Sequence, residues 1–433
     1  MGNWNRLAQK VSLIDPISAQ GLVSKIVGLL IEAAGPRCSV GEFCHIVARD
    51  GRVIPAEVVG FRGSTTLLMP LAELEGISPG DRVIPQLNKL MVNTGAKLLG
   101  RVLDGLGRPL DGRPLLTETV YPLQNSPPSA FSRPRIRESL NVGVRAIDGL
   151  LSIGRGQRMG IFAGSGVGKS TLLGMMARNT DADVNVIALV GERGRELRDF
   201  IDKDLGQIGL ARSVIIVATS DQPALIRLKA AFTATAIAEY FRDLGQNVLL
   251  MMDSVTRFAM AQREIGLTVG EPPATRGYPP SVFSILPKLL ERSGMAEKGS
   301  ITGIYTVLVD GDDHNEPIAD AVRGILDGHI VLTRELATQN HYPSIDILQS
   351  VSRVMGDVIQ PEHQTLTNQV RTHLAIYHEA KDLIDIGAYV HGSNPHIDAA
   401  ITYREKITRF VCQEIDEKVS HDVMLKQLES IFA

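Results

Sequence analysis

The sequence predicts an α/β protein in three parts: an N-terminal β-barrel, a central parallel β-sheet covered by helices, and a C-terminal α-helical domain. Short β-branched stretches between turn residues occupy the first part. Wholly apolar stretches then alternate with helical ones from residue 135 to 344, as in parallel sheets. Apolar residues at helical spacing fill the remainder. The domain bounds we expect are 21–95, 96–345 (with a linker at 96–135) and 346–433.

The composition is that of a folded globular protein. Of 433 residues, 44% are hydrophobic and 21% are charged, with a formal net charge of −3. This net charge therefore does not favour a nucleic acid or an acidic membrane as partner. Three cysteines, an odd number, indicate reduced thiols and a cytoplasmic protein. The N-terminus lacks the layout of a signal peptide, and no apolar run approaches the roughly 18 residues of a membrane span.

Residues 1–20 mix apolar and polar side chains. They predict either a short amphipathic helix that docks a partner or a frayed terminus, and the sequence favours neither.

The barrel prediction rests on four short strands separated by Gly, Pro and Asp turns. Such barrels sometimes bind oligonucleotides, but only Phe43 and Phe61 are aromatic here, so a structural or assembly role is favoured. The predicted strands are 25–31, 43–48, 53–61 and 65–69.

Two stretches predict the connection to the central domain. Residues 100–112 are dense in turn formers and predict a connector, and residues 122–134 hold four prolines and predict an extended linker.

The central sheet is predicted to hold its ligand at the carboxyl ends of its strands. After Pro343 we expect strands to stop and helices to follow. The predicted strands are 159–162, 184–190, 214–218, 248–252 and 301–309. The predicted C-terminal helical stretches are 345–354, 363–384, 397–414 and 416–431.

A phosphate-binding loop is predicted between a short apolar strand and a helix. The backbone N–H groups of such a loop and the helix N-terminus present partial positive charge to an anion. Lys169 can reach β- and γ-phosphates, and the Ser170 hydroxyl can bind Mg²⁺. The strict pattern has Gly where this chain has Ala163, and a merely Gly-rich turn is the alternative. The predicted nucleotide-binding residues of the loop are Ala163, Gly164, Ser165, Gly166, Val167, Gly168, Lys169, Ser170 and Thr171.

Two carboxylates follow neighbouring strands at the same rim. Asp253 ends an apolar strand and is suited to hold Mg²⁺ opposite Ser170. Glu192 can polarise a water molecule for in-line attack on a γ-phosphate. Glu196 is expected to pair with a nearby arginine. The alternative for this stretch is a capped helix start with surface ion pairs.

Three motifs, F-A-G-S-G-V-G-K-S-T, G-E-R-G-R-E and L-L-M-M-D-S-V-T-R-F-A, together resemble the catalytic subunit of rotary ATP synthases. The closer resemblance is to the ATPases of type III protein export. Residues 157–166, 277–281 and 310–320 are similar to the flagellar branch. The resemblance covers about residues 20–433. It implies a RecA-like central domain that hydrolyses ATP with Mg²⁺.

The resemblance also implies individual roles. Glu192 matches the catalytic carboxylate, and Arg193 and Arg257 match arginines near the γ-phosphate. Tyr342 matches the aromatic residue that stacks on adenine. Arg353 matches an arginine finger offered to the nucleotide of the neighbouring subunit, which implies a homohexameric ring. From its own surroundings in the sequence, Arg353 predicts only a salt bridge on an amphipathic helix.

Two comparisons within the superfamily favour an export ATPase over a synthase. Non-catalytic subunits of rotary ATPases replace the glutamate, so Glu192 implies that every copy can hydrolyse ATP. Rotary catalytic subunits carry a strongly acidic loop in the helical domain, whereas residues 381–387 are only mildly acidic.

The leading hypothesis is therefore a homohexameric Mg²⁺-dependent ATPase of flagellar protein export. The resemblance implies a position at the inner face of the cytoplasmic membrane. The implied partners are an export regulator, a stalk protein, a membrane export gate, chaperones and export substrates, without nucleic acid. The alternatives are a virulence-type secretion ATPase, a ring-shaped nucleic-acid translocase, and a nucleotide-binding assembly subunit without turnover.

Overall fold

The computed structural model describes residues 20–86, 90–115, 117, 119–309 and 316–433. Residues 1–19 of the predicted docking segment and residues 310–315 of the third flagellar-like stretch lie outside these ranges. Among the described helices, none is long and apolar enough to cross a membrane. The chain forms two compact units, one holding the barrel and the other holding the central sheet and the C-terminal helices. The predicted fold class is confirmed.

The barrel is a closed ring of six antiparallel strands in the order β1-β2-β5-β4-β3-β6. Its interior is filled by alternate side chains such as Ile31, Ile46 and Leu68, which are fully buried. The prediction of one strand at 25–31 is wrong, because Gly28 takes a positive φ of 58° and a hairpin turn follows. The strands are β1 (Gly21–Val27), β2 (Leu30–Ala34), β3 (Phe43–Val47), β4 (Val53–Arg62), β5 (Thr65–Pro70) and β6 (Arg82–Pro85).

The second unit contains a nine-stranded sheet in its described residues, with the order β19-β18-β12-β17-β15-β13-β14-β8 and the short β16 beside β17. The five predicted strands are confirmed as β12, β13, β14, β15 and β17, and the pairings among them are parallel. The strands are β7 (Met91–Thr94), β8 (Arg101–Asp104), β9 (Thr119–Pro122), β10 (Ser139–Leu140), β11 (Ile153–Gly154), β12 (Arg158–Ala163), β13 (Val184–Glu192), β14 (Ser213–Thr219), β15 (Asn247–Asp253), β16 (Gly294–Met295), β17 (Ser300–Leu308), β18 (Gly328–Leu332) and β19 (Ile345–Ser352).

The two edge strands of this sheet differ from the sequence prediction. The expected connector at 100–112 contains β8, which pairs in parallel with β14. The expected helix at 345–354 is wrong, and so is the prediction that strands stop after Pro343, because β19 pairs antiparallel with β18. Ile345 and Ile347 face the core with Leu348 exposed, a short apolar run that spacing alone cannot assign to helix or strand.

Helices cover the sheet and continue into the C-terminal part. A π-helical turn, Phe200–Leu205, joins the third helix to the fourth. Short 3₁₀ turns lie at Ala96–Leu98 and Thr275–Gly277. The α-helices are α1 (Arg145–Leu150), α2 (Lys169–Asn179), α3 (Gly194–Asp199), α4 (Gly206–Ala211), α5 (Ala224–Asp243), α6 (Val255–Val269), α7 (Pro280–Leu290), α8 (Pro317–Ile325), α9 (Arg334–Thr338), α10 (Met355–Val358), α11 (Pro361–Asp385), α12 (Pro395–Val411) and α13 (His421–Glu429).

The C-terminal helices share one hydrophobic core with the sheet. Val370, Phe410 and Met424 from these helices belong to the same buried cluster as Ile161 of β12. Helices α1 and α12 approach each other closely, because a Cβ on Gly149 of α1 would lie 2.8 Å from the ring of Phe410 in α12. This packing places the chain after α12 beside the start of α2.

Candidate active site

The phosphate loop has the strand–loop–helix form that the sequence predicts. It connects the end of β12 to the first residue of α2. Gly166 and Gly168 take positive φ values of 77° and 87°, which glycine adopts without steric cost. Ala163 has no positive φ and is buried as the last residue of β12, in register with Leu332 of β18. The loop geometry thus tolerates alanine at that position.

The sheet order brings three charged side chains to the start of α2. The Lys169 ammonium donates to the Asp253 carboxylate, and its Nζ lies 3.9 Å from Oε1 of Glu192. Asp253 also accepts a hydrogen bond from the Thr306 hydroxyl, 2.7 Å. All three charged side chains are mostly buried, with exposed fractions of 12%, 4% and 16% for Lys169, Asp253 and Glu192. Two carboxylates therefore share one ammonium in a site with little water.

Burial, and after it the negative charge of Asp253, raise the pKa of Glu192 to about 7, against the opposing charges of Lys169 and Arg257. A carboxylate with a pKa near neutrality is suited to accept a proton from water.

Arg257 lies across the end of β13 because Gly191 leaves room for it. The register of β13 shifts between Val190 and Glu192, and Gly191 takes a φ of 72°. A Cβ there would lie 2.9 Å from the Cβ of Arg257. The Arg257 Nε is buried and has no hydrogen-bond partner among the described residues, so it remains available to an anion. Arg193, in contrast, is 78% exposed and pairs with Glu196 at 3.5 Å, so the structure does not bring it into the cluster.

Oxygen donors around Lys169 suit a hard divalent cation. Ser170 follows Lys169 in the first turn of α2, and Asp253 supplies a buried carboxylate. Within the described ranges, no group of three or more His, Cys, Asp or Glu side chains could hold an ion on its own. This donor set fits Mg²⁺, which binds through one or two protein oxygens together with phosphates and water.

A cavity of about 630 Å³ opens beside the phosphate loop. Gly168, Thr171 and Tyr342 line it on one side, and the chain from Cys412 to Ile415 lines it on the other. The Tyr342 ring is 41% exposed and packs 3.5 Å from the position that a Cβ on Gly168 would take. The volume suits a nucleoside, and the exposed ring offers a stacking surface.

Two buried polar residues that the sequence analysis missed hold the far wall of this cavity. Arg145 donates to the carbonyl of Cys412, 2.6 Å, and pairs with Glu417. Gln413 donates from its backbone N–H to the carbonyl of Tyr342, 2.9 Å, and from its amide to Gly143, 2.9 Å. No motif marks these residues, since their partners lie up to about 270 residues away in the chain.

Arg178 of α2 was also missed, although it connects two walls of the site. It donates to the carbonyl of Asp204 in the π-helical turn and to the carbonyl of Ile415, 2.6 Å. The Asp204 carboxylate is hydrogen-bonded to the Thr171 hydroxyl. A Cβ on Gly174 would lie 2.6 Å from the carbonyl oxygen of Asp204, which explains why this helix has a glycine here. A glycine inside a helical stretch is the one sequence signal that could have revealed this close contact.

The structure does not bring Arg353 to the phosphate loop of its own chain. Arg353 follows β19, whose last residue, Ser352, pairs with Gly328 at the start of β18. The phosphate loop follows Ala163, which pairs with Leu332 at the other end of β18. Four strand steps of roughly 3.3 Å separate the two ends, about 13 Å. The Arg353 side chain is exposed and makes no hydrogen bond or ion pair with the part of the chain that the structure describes.

Three family profiles match the chain. The β-barrel domain of the ATP synthase alpha/beta family matches residues 23–86. The nucleotide-binding domain of the same family matches residues 143–352. The T3SS EscN ATPase C-terminal domain matches residues 359–430.

Relatives match over nearly the whole length. The flagellum-specific ATP synthase of Bacillus subtilis (strain 168) is 56% identical over 425 residues, 97% of each chain. A type 3 secretion system ATPase of Xanthomonas euvesicatoria is 52% identical over 413 residues, 95% of this chain and 93% of the relative. The assembled ATPase EscN of the enteropathogenic E. coli type III secretion system has a TM-score of 0.91 at 47% identity, covering 95% of this chain and 100% of that chain. EscN in complex with its central stalk EscO has a TM-score of 0.88 at 47% identity, with the same coverage.

The resemblance deduced from the sequence motifs is confirmed by these matches. The chain belongs to the ATP synthase alpha/beta family, in the group that contains flagellum-specific ATP synthases and type 3 secretion system ATPases.

Proposed function

We propose that this chain is a Mg²⁺-dependent ATPase that energises flagellar protein export as a homohexameric ring. The observation that carries the proposal is the cluster of Lys169, Glu192 and Asp253 at the end of the phosphate loop. The similarity to flagellum-specific ATP synthases over 97% of the chain supports the biological setting. A virulence-type secretion system remains the second candidate, supported by the C-terminal domain match.

In this proposal the side chains of one subunit bind and orient the nucleotide. Lys169 and the loop N–H groups hold the β- and γ-phosphates, and the adenine stacks on Tyr342. Ser170 and Asp253 hold Mg²⁺, which neutralises phosphate charge when bound. Glu192 orients a water molecule and accepts its proton as the water oxygen attacks the γ-phosphorus and the bond to the β-phosphate oxygen breaks. Arg257 lies on the γ-phosphate side and stabilises the developing charge, and Arg193 acts there once the nucleotide is bound.

The neighbouring subunit completes the site with Arg353. Arg353 is exposed and follows β19 at the end of β18 opposite to the phosphate loop of its own chain. An arginine supplied in trans adds charge stabilisation that one subunit lacks. The assembled state of the similar EscN structure supports a ring.

We also propose that the ring acts at the inner face of the cytoplasmic membrane. It releases export substrates from chaperones and passes them to an export gate, with a regulator on the N-terminal segment. A stalk protein binds the end of α11 and the loop that follows it, where Leu383, Ile386 and Val390 are 50%, 75% and 70% exposed. The complex of EscN with its central stalk EscO supports a stalk protein as partner.

Replacement of Glu192 tests the catalytic assignment directly. Glu192→Gln should keep ATP binding near normal while reducing phosphate release at least about 100-fold, since the amide cannot accept the proton. Glu379→Gln is the matched control, because Glu379 is exposed on α11 and lies outside the cluster. Normal turnover by Glu192→Gln would mean that another group activates the water.

The two biological settings are separated by complementation. The chain should restore motility to a flagellated bacterium that lacks its own export ATPase. Restored effector secretion without motility would favour the virulence-type system. ATPase activity strongly stimulated by RNA would instead indicate a nucleic-acid translocase.

A further inference from the structure

Gln157 is a fully buried polar residue in a motif that the phosphate chemistry does not use. It lies just before β12, six residues from Ala163, or about 20 Å along an extended strand. It is therefore at the far end of the strand from the phosphate loop of its own subunit.

The side-chain amide of Gln157 makes hydrogen bonds with groups next to the backbone of Arg353. The Nε2 group donates to the Ser352 hydroxyl and to the carbonyl of Asp327, each at 3.1 Å. The same Asp327 carbonyl accepts the backbone N–H of Arg353 at 3.0 Å. The Oε1 atom accepts the N–H of Gly154 at 2.8 Å.

Further bonds fix these partners in turn. The Ser352 hydroxyl donates to the carbonyl of Ser152 at 2.8 Å. The Asp327 carboxylate accepts two hydrogen bonds from the Arg158 guanidinium, at 3.0 and 3.1 Å. The backbone around Arg353 is thus held by hydrogen-bonded polar groups that are buried or half-buried, while its guanidinium stays exposed and without a partner in the described chain.

We propose that Gln157 is a positioning residue for the active site of the neighbouring subunit, acting through the backbone of Arg353. The proposal rests on the proposed function, since it requires Arg353 to act in trans. Its physical basis is that a displacement of about 1 Å in a catalytic group can lower turnover about 100-fold. Gln157 is hydrogen-bonded to Ser352, the residue before Arg353, and to the Asp327 carbonyl, which also accepts the backbone N–H of Arg353.

Gln157→Met tests this assignment, because methionine has a similar size and lacks the amide. The homogeneous ring should lose between about 10-fold and 100-fold in kcat, with KM for ATP nearly unchanged because the cavity of its own subunit is remote. Thr302→Val is the matched control. Thr302 is buried nearby and accepts a hydrogen bond from Gly156, 2.8 Å, but it does not bond Ser352 or Asp327.

Mixed rings distinguish a trans effect from a general loss of structure. In an equimolar mixture of two impaired variants with defects on opposite sides of the interface, about a quarter of the interfaces (½ × ½) combine both intact groups. Gln157→Met should therefore regain activity when mixed with Glu192→Gln and regain none when mixed with Arg353→Ala. Recovery with Arg353→Ala, or no recovery with Glu192→Gln, would overturn the inference.

The mixture of Arg353→Ala with Glu192→Gln is the positive control. If this control shows no recovery, the trans role of Arg353 fails, and with it the proposed ring mechanism. If the control recovers and the Gln157 mixture does not, only the inference about Gln157 fails. Should Gln157→Met not fold, Ser352→Ala removes the same contact from the other side and must show the same complementation pattern.

Discussion

At the scale of single residues, the cluster around Lys169 is close to what the sequence predicts. Glu192 and Asp253 were placed at one rim because each ends an apolar strand, and the strand order brings both to Lys169. Arg178 and Gln413 hold the cavity walls, and the sequence offers only Gly174 as a signal for the first and none for the second. Their bonds run to backbone carbonyls of distant segments, and a carbonyl leaves no trace in the residue type.

The raised pKa of Glu192 predicts an acidic limb in the pH profile. The base works only when ionised, so kcat/KM should fall as pH drops below about 7, the value caused by burial and by Asp253. A kcat/KM limb near the ordinary glutamate pKa of about 4.3 would contradict the assignment.

Gly191 should tolerate no side chain. Gly191→Ala imposes a strained φ that costs about 1–2 kcal/mol and pushes against the stem of Arg257. We expect lower thermal stability and at least about a 10-fold loss of kcat. Gly194→Ala is the matched control, since a Cβ there meets nothing within 4 Å. If the two substitutions had equal effects on stability and kcat, the contact between Gly191 and Arg257 would have no role in activity.

Tyr342 should govern nucleotide affinity more than chemistry. Stacking of a base on an aromatic ring is worth about 1–3 kcal/mol, so Tyr342→Ala should raise KM for ATP by about 5-fold to 100-fold with little change in kcat. Tyr342→Phe retains the ring and should behave as the unaltered chain. A kcat defect without a KM defect would contradict base stacking.

At the scale of elements, buried parallel strands are predictable and edge strands are not. The five central strands are predominantly apolar, which leaves little alternative to burial on both faces. The edge strands β8 and β19 carry polar residues and sit among turn or helical patterns, so only their pairing partners make them strands. The sequence of β19 also satisfies helical spacing, and tertiary pairing decides between the two.

The loop after α12 should depend on Arg145. Arg145→Met removes its bonds to the carbonyls of Phe410 and Cys412 and leaves Glu417 without its ion pair. We expect a loss of about 1–3 kcal/mol in unfolding free energy and a several-fold higher KM for ATP, because the loop lines the nucleotide cavity. Arg409→Met is the control for the loss of one positive charge, measured by thermal unfolding, because the Arg409 side chain is 80% exposed.

At the scale of the whole molecule, activity should depend on assembly. In the proposed mechanism, a chain whose Arg353 and phosphate loop lie at opposite ends of β18 cannot complete its own site. Specific ATPase activity should therefore rise cooperatively with protein concentration, together with particle size. A specific activity that is constant from monomer to ring would show that one chain is sufficient. The sequence predicted this dependence only through family resemblance, because no pattern in one chain describes its neighbour.

The shared core of sheet and C-terminal helices has a mechanical consequence. Close-packed interiors transmit strain instead of absorbing it. Helix α12 runs from the exposed loop at Pro395 to Val411, 17 residues or about 25 Å. Its last residue is followed by the wall of the nucleotide cavity. If the cavity binds the base as proposed, a force on the outer end of α12 would be transmitted to the base-binding wall. A protein that turns against this loop would then change the shape of the cavity without touching the nucleotide.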